Sequence, residues 1–132
     1  MSAQSNADAI RAGYEAFAKG DIDSVAKLLA PGIRWHVAGR GPLTGTYEGR
    51  DEVLRFFGGL TDLTGGTFRV EIHDLLASDD HVVALMRQHV SHGDAHHDSN
   101  VVHVWHLRDG AATEFWAIPE DQHGLEELWA KR

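Results

Sequence analysis

The sequence predicts an α+β domain in which helices precede a mostly antiparallel sheet. Apolar residues recur with a period near 3.6 early in the chain and again over residues 50–60, as in amphipathic helices. From about residue 67 the period changes to two, which is typical of strands. Short turn-forming stretches separate these strands, and connections of that length suit antiparallel neighbours. Helices first and strands afterwards define the α+β class.

The composition indicates one ordinary domain spanning residues 1–132, since 42% of the residues are hydrophobic and 24% are charged. A net charge of −8 argues against nucleic acid and against an anionic membrane surface as partners. The absence of cysteine excludes disulfides and thiol catalysis. The first residues lack a signal-peptide pattern and no apolar run approaches a membrane span, so we expect a cytoplasmic protein.

Two amphipathic helices open the chain. The first, over residues 5–20, has Tyr14 on its apolar face together with Ile10 and Phe17; Ser5 or Asn6 is expected to cap it, and Gly20 to end it. Asp21 is the expected cap of the second helix, which Pro31 stops.

A short strand is expected over residues 32–37, followed by a glycine-rich stretch, 38–49, that is too irregular for an element interior. The third helix covers 50–60, with Asp51 and Glu52 in its first turn, where the helix dipole favours acidic groups.

The second half contains four expected strands and a last helix, namely strands 67–78, 81–91, 99–108 and 112–118 and helix 120–130. A curved sheet wrapped over the helices would leave a conical cavity between the two layers.

Three stretches in a fixed order then carry a family resemblance: "YEAFAKGDIDSVAKLLAPGIRWHVAG", "GTYEGRDEVLRFF" and "HVWHLRDG". In this order the chain resembles the NTF2-like superfamily, and within it the SnoaL-like and ketosteroid-isomerase-like proteins. The resemblance covers nearly the whole chain and implies a cone, also called cystatin-like, in which the N-terminal helices pack in a strongly curved antiparallel sheet. It is far less specific for activity, because one fold hosts many functions.

The resemblance also implies three positions for catalysis. Tyr14 stands where the isomerases carry an oxyanion-hole tyrosine, His36 where they carry the carboxylate base, and His103 where they carry a hydrogen-bonding acid. Two of the three positions depart from the isomerase pattern, but all three residues are polar and can move protons. Histidine titrates near neutral pH, so either imidazole could serve as acid or base.

Each of the three residues also has a structural interpretation. Tyr14 could be a buried tyrosine tied to a carbonyl, and His103 a satisfied core or interface histidine. For His36, strict alternation places Trp35 on the apolar face and His36 on the other, whereas the positional match places His36 in the cavity. Both residues therefore stay candidates for the pocket.

A second group of residues is predicted to line the cavity without taking part in chemistry. In the 81–91 strand, the positional match favours the face that carries Met86 and Gln88, with Arg87 and His89 outward. The predicted substrate-binding residues are Trp35, Tyr47, Phe56, Met86, Gln88, Trp105 and Phe115.

Asp121 and the histidine-rich stretch 89–98 each have a functional and a structural interpretation. Asp121 could serve as an acid or base, as an acidic residue near the chain end does in polyketide-cyclase-like members, but an N-cap role explains it fully. The histidine-rich stretch 89–98 invites a metal, yet its spacing favours a solvated loop. We therefore predict no metal and no cofactor.

The predicted function is cofactor-free acid/base chemistry on an apolar carbonyl compound: isomerisation, cyclisation or dehydration. Tyr14 and His103 would polarise the carbonyl and His36 would carry the proton. The alternative is a non-catalytic small-molecule binder with the same cavity. A third hypothesis is an interaction module that uses the outer sheet face, although exposed Trp116, Val102 and Val104 on that face favour a homodimer.

Overall fold

The computed structural model describes residues 2–130 and confirms the α+β class. Its elements are α1 (Ala3–Ala18), α2 (Ile22–Leu28), β1 (Leu29–Val37), β2 (Gly45–Glu48), α3 (Arg50–Thr64), β3 (Arg69–Ala77), β4 (His81–His92), β5 (Ala95–Arg108), β6 (Ala111–Pro119) and α4 (Gln122–Ala130). Among these residues, no helix combines the length and the apolar character that a membrane crossing requires.

One curved six-stranded sheet has the order β2-β1-β6-β5-β4-β3. The β3-β4-β5-β6 meander is antiparallel throughout, and β1 joins β6 in parallel while β2 pairs antiparallel with β1. The helices pack on one face of this sheet, where the aromatic rings of Trp35, Trp105 and Phe115 form the centre of the buried core. The opposite face carries Trp116 and the β4 and β5 residues that alternate with the core positions.

The start of α1 differs from the expected caps. Ser2 is the N-cap, and it forms a reciprocal capping box with Ser5. Asn6 instead lies fully buried on the inner face of the helix, and its Nδ2 donates to the carbonyls of Ser78 (3.1 Å) and Asp79 (2.9 Å). This side chain therefore ties the first helix to the turn between β3 and β4.

The second helix begins after the predicted cap, but it ends before Pro31. Asp21 accepts a hydrogen bond from the Ser24 backbone N–H, as an N-cap does. The chain turns extended at Leu29, which is fully buried, so β1 begins before the proline. Pro31 lies where the register between β1 and β6 shifts, a place where a missing N–H is tolerated.

Three boundaries were wrong because tertiary contacts decide them. β2 lies within the stretch expected to be irregular. It forms because its residues pair antiparallel with β1, where Tyr47 lies opposite Trp35. α3 continues past Leu60 to Thr64, and the side chains of both residues are buried on the inner side of this helix. β5 begins at Ala95, because the β4–β5 hairpin turns tightly after His92.

We expect Asn6→Ala to lower the free energy of unfolding by about 1–3 kcal/mol, because it leaves two carbonyls of the β3–β4 turn without their buried donor. Urea denaturation followed by circular dichroism measures this change. Gln4→Ala, on the exposed side of the same helix, is the matched control and should stay within about 0.5 kcal/mol of the parent. Equal losses from both variants would contradict the anchoring role of Asn6.

Candidate functional site

A cavity of about 150 Å³ lies between the helices and the inner face of the sheet. Its walls are mainly aliphatic and aromatic, with a few polar groups. Of the predicted lining residues, five contribute to its walls: Trp35, Phe56, Gln88, Trp105 and Phe115. Tyr14 and His103 line it as well, from α1 and β5 respectively.

Tyr14 and His103 are joined by a short hydrogen bond inside this cavity. The Tyr14 hydroxyl lies 2.6 Å from His103 Nδ1, and it also accepts a hydrogen bond from the Trp105 indole N–H at 3.0 Å. The 3.6-residue period of α1 places Tyr14 one turn after buried Ile10, and the alternation of β5 places His103 and Trp105 on the same face. The three side chains thus form a buried chain that links helix to sheet.

Burial keeps this network neutral. It raises the pKa of the Tyr14 phenol well above its usual range, although the Trp105 hydrogen bond opposes that rise. It lowers the pKa of His103 to about 3, since the cavity disfavours an imidazolium. At neutral pH the site therefore holds a protonated phenol and an uncharged imidazole.

The hydrogen-bond pattern assigns the tautomer of His103. The phenol oxygen accepts from the Trp105 N–H, and within residues 2–130 the acceptor that the Tyr14 O–H meets is His103 Nδ1. The O–H therefore donates to Nδ1, and the imidazole proton resides on Nε2. No protein partner for Nε2 is present in residues 2–130, and this nitrogen is not among the fully enclosed polar atoms. The Nε2–H is consequently a donor that opens onto the cavity.

His36 lies on the opposite face of the sheet, which corrects its predicted place in the cavity. Its Nε2 lies 2.6 Å from Glu114 Oε2, its Nδ1 lies 3.0 Å from Thr46 Oγ1, and its ring stacks on Trp116. Trp35 occupies the inner position, as strict alternation indicated. The positional match failed here because a one-residue offset reverses the face of a strand.

Three other predicted residues lie outside the cavity wall. Asp121 caps α4, accepting a hydrogen bond from the Gly124 backbone N–H at 2.8 Å. Tyr47 donates to the Leu43 carbonyl at 2.7 Å and packs on the core from β2. Met86 is buried in a separate cluster with Ala84 and Val101, against which Tyr14 of α1 and apolar side chains of β3 pack.

Part of the cavity wall comes from the glycine-rich loop and α4, which sequence reasoning did not include in the site. Leu43, Thr44, Gln122 and Trp129 contribute to this part. A side chain at Gly41 would meet the Trp129 ring at 2.9 Å, so glycine permits the close approach of loop and helix. The density of glycine in this loop was the signal that could have pointed to it.

The histidines of the β4–β5 hairpin take part in separate polar contacts. His89 lies between Glu71 (2.9 Å) and Asp98 (2.7 Å) on the outer face, and these two carboxylates raise its pKa. His92 Nδ1 lies 2.9 Å from the Leu63 carbonyl. Among residues 2–130, no three His, Asp or Glu side chains converge in a way that could hold a metal ion.

Comparison with known proteins places this architecture in a class. The chain is 27% identical over 131 residues to the uncharacterised protein Rv0034 of Mycobacterium tuberculosis, covering 98% of this chain and all of that protein. It is similar in structure to Bal32a from a soil-derived mobile gene cassette, with a TM-score of 0.92, 30% identity and coverage of 96% and 98% of the two chains.

TerC co-crystallised with polyporic acid is also similar, with a TM-score of 0.86, 27% identity and coverage of 96% and 99%. Other structural neighbours are described as NTF2-like or as having a cystatin-like fold. The fold and its cavity thus define an NTF2-like α+β protein. The model of the SnoaL-like domain matches residues 10–115, and the chain belongs to that family.

The buried neutral His103 predicts a specific pH dependence of stability. The unfolded chain takes up this proton near pH 6.5 and the folded chain only near pH 3, so the free energy of unfolding falls as pH decreases across that interval. Between pH 7 and pH 5 we expect His103 to account for a loss of about 2 kcal/mol.

Urea denaturation of the wild type and of His103→Gln at both pH values measures this contribution, which the variant should lack. His36→Gln is the matched control, since it removes an imidazole from the outer face. The assignment fails if His103→Gln and the wild type lose the same stability on acidification.

Proposed function

We propose that the protein binds a small, neutral, apolar carbonyl compound in its cavity and polarises the carbonyl through His103. The observation that carries this proposal is the 2.6 Å contact between the Tyr14 hydroxyl and His103 Nδ1, which directs the remaining imidazole N–H into the cavity. An uncharged imidazole held in one tautomer is suited to donate to a carbonyl oxygen.

The cavity walls favour a neutral ligand. None of the lining side chains in the described part of the chain is a carboxylate, an ammonium or a guanidinium. A buried ion without a partner is unfavourable by several kcal/mol, so a charged ligand would be excluded. Aromatic walls formed by Trp35, Phe56 and Phe115 favour flat or cyclic molecules instead.

The size of the cavity limits the part of the ligand that is enclosed. A closed apolar cavity near 150 Å³ is large enough for benzene. The cavity therefore encloses about one ring of a ligand, and the second ring of a two-ring compound extends beyond the enclosed part. The structure of TerC with polyporic acid supports a small organic ligand for the present chain as well.

Catalysis is the second candidate function, and the short Tyr14–His103 contact favours it. Proton donation from this pair to a carbonyl oxygen would assist isomerisation, cyclisation or dehydration. The proton acceptor expected at His36 is on the other face, and the described cavity wall offers no carboxylate in its place. These reactions also need an acceptor for a second proton, which would be water or a group of the substrate. Because the described cavity wall supplies no such base, we rank catalysis below binding.

The test compares 1-tetralone with tetralin, which has the same rings but no carbonyl. We expect 1-tetralone to bind more tightly, with His103→Gln and Tyr14→Phe each weakening its affinity about tenfold, because a buried hydrogen bond is lost or misdirected. Titration calorimetry measures these affinities. His36→Gln is the control and should bind as the wild type does.

The same probe separates the two candidate functions. Enolisation exchanges the α-protons of 1-tetralone for deuterium in D₂O, and NMR detects this exchange directly. Exchange above the buffer rate that requires Tyr14 and His103 would establish catalysis, whereas binding without exchange would establish a binder. Equal affinity for 1-tetralone and tetralin in every variant would contradict the carbonyl-binding role.

We also propose a homodimer formed through the outer face of the sheet. Trp116, Val102 and Val104 share this face with Ile118, which is 53% exposed in the isolated chain. Charged rows border this apolar stripe, with Arg34 and Glu114 on one side and Arg87 and Glu71 on the other. An apolar centre with a polar border is typical of a protein interface.

For this dimer, we expect Ile118→Lys to raise the dissociation constant at least about tenfold, since a charge would be buried at the centre of the interface. Analytical ultracentrifugation across a concentration series measures the constant. Gln4→Lys adds the same charge on helix α1 and should leave the association unchanged. A wild type that stays monomeric at high concentration would disprove the dimer.

A further inference from the structure

Gln88 presents a buried amide on the inner face of β4. It is 5% exposed, and glutamine is seldom buried to that extent unless its polar atoms are paired. Its neighbours in the sheet place it within the cavity wall, because Val70, opposite it on β3, and Val90, two residues along β4, line the same cavity as Gln88 itself. The side chain of Gln88 therefore extends from the sheet toward the hollow.

The protein satisfies this amide only in part. Its Nε2 lies 3.4 Å from Ser99 Oγ across the β4–β5 pair, which is long for a hydrogen bond. Within residues 2–130 its Oε1 has no hydrogen-bond partner, yet this oxygen is not among the fully enclosed side-chain atoms that lack one. Because the residue is otherwise buried in the cavity wall, the accessible part of Oε1 faces the cavity.

Gln88 and His103 lie well apart along the cavity wall. Ala84 pairs with His103 and Gln88 follows Ala84 by four residues, so the two backbone positions are about 13 Å apart along the strands. Side chains stand roughly perpendicular to a sheet, so their polar ends keep a similar spacing. A hydrogen bond of about 3 Å at each end leaves roughly 7 Å between two ligand oxygens, which is the span of one ring with oxygens at its opposite ends. A cavity that encloses about one ring agrees with this spacing.

We infer that the Gln88 amide oxygen accepts a hydrogen bond from a hydroxyl group of the ligand, at the end of the ring opposite the carbonyl that His103 meets. This inference rests on the proposed function and narrows its ligand class to hydroxy-ketones whose two oxygens lie across one ring. Gln88 then determines specificity, because a hydroxyl that enters an apolar cavity must replace its hydrogen bonds to water.

The experiment compares 6-hydroxy-1-tetralone with 1-tetralone and with 6-methoxy-1-tetralone, which keeps the second oxygen but lacks its proton. In slightly acidic buffer the phenol of the first probe is protonated and neutral. We expect the wild type to bind 6-hydroxy-1-tetralone about three- to tenfold more tightly than 1-tetralone, the effect of one neutral hydrogen bond, and to gain nothing from the methoxy group. Titration calorimetry measures the three affinities.

Gln88→Met removes the amide and keeps the length of the side chain. This variant should lose the preference for 6-hydroxy-1-tetralone and should change the affinity for 1-tetralone less than about twofold. Gln122→Met is the matched control, because Gln122 also lines the cavity but from α4, and it should keep the preference. A preference lost in Gln122→Met and kept in Gln88→Met would overturn the assignment.

The side-chain carbonyl carbon of Gln88 gives a second measurement in the wild type. The chain contains three glutamines, at positions 4, 88 and 122, so labelling with ¹³C-glutamine gives three such signals. Gln4→Met and Gln122→Met identify two of them, and the assignment of the third therefore does not depend on whether Gln88→Met folds. We expect 6-hydroxy-1-tetralone to move the Gln88 signal downfield, as a new hydrogen bond to the carbonyl does, and 1-tetralone to move it much less.

The outcomes separate this inference from the proposed function. If 1-tetralone binds through His103 but the hydroxyl adds no affinity and leaves the Gln88 signal in place, the inference alone is wrong. An equal gain from the methoxy group would also overturn it, since the amide nitrogen would then face the ligand.

A fourth probe, 5,6,7,8-tetrahydro-2-naphthol, carries the hydroxyl without the carbonyl. If its binding depends on Gln88 while no probe depends on His103, the proposed carbonyl site fails and the hydroxyl site at Gln88 stands. If no probe binds, the proposed function fails and the inference fails with it.

Discussion

The hydrogen-bonded chain Trp105–Tyr14–His103 is the interaction on which the architecture of the cavity depends. It joins α1 to β5 at the centre of the molecule, and each of its polar atoms would be unfavourable there without the others. The Tyr14 hydroxyl satisfies Nδ1 of His103, so the N–H on the other side of the imidazole, at Nε2, stays available to the cavity. The aromatic rings around it keep that donor in a largely apolar environment, where a hydrogen bond to a ligand is strengthened.

The sheet divides the chemistry of the protein between its two faces. The inner face is neutral at physiological pH, because burial disfavours both ionised forms of Tyr14 and His103. The outer face holds hydrogen-bonded polar pairs such as His36 with Glu114 and His89 with Glu71, which stay near solvent. This division is the basis of two proposals: an uncharged apolar ligand inside the cone, and a dimer interface on its outer surface.

The candidate site could be predicted in part from the sequence. The period of α1 placed Tyr14 on an apolar face, and the resemblance to the isomerases pointed to both Tyr14 and His103, which line the cavity in the structure. His36 lies in a strand whose pattern and positional match disagreed, and alternation proved the better guide because the side-chain period of a strand is two. The contribution of Trp129 and the glycine loop could not be foreseen, since it depends on two distant segments approaching each other.

The sequence by itself determined the α+β class, the apolar faces and the order of the helices and of every strand but β2, because periodicity and capping residues act within a few positions of the chain. Only the tertiary structure decided that β2 pairs with β1, that α3 extends to Thr64 and that Asn6 anchors the β3–β4 turn. It also decided that the Trp35 indole N–H is enclosed without a hydrogen-bond partner within residues 2–130. These features depend on contacts between segments far apart in the chain, and neither propensity nor spacing encodes which distant groups will meet.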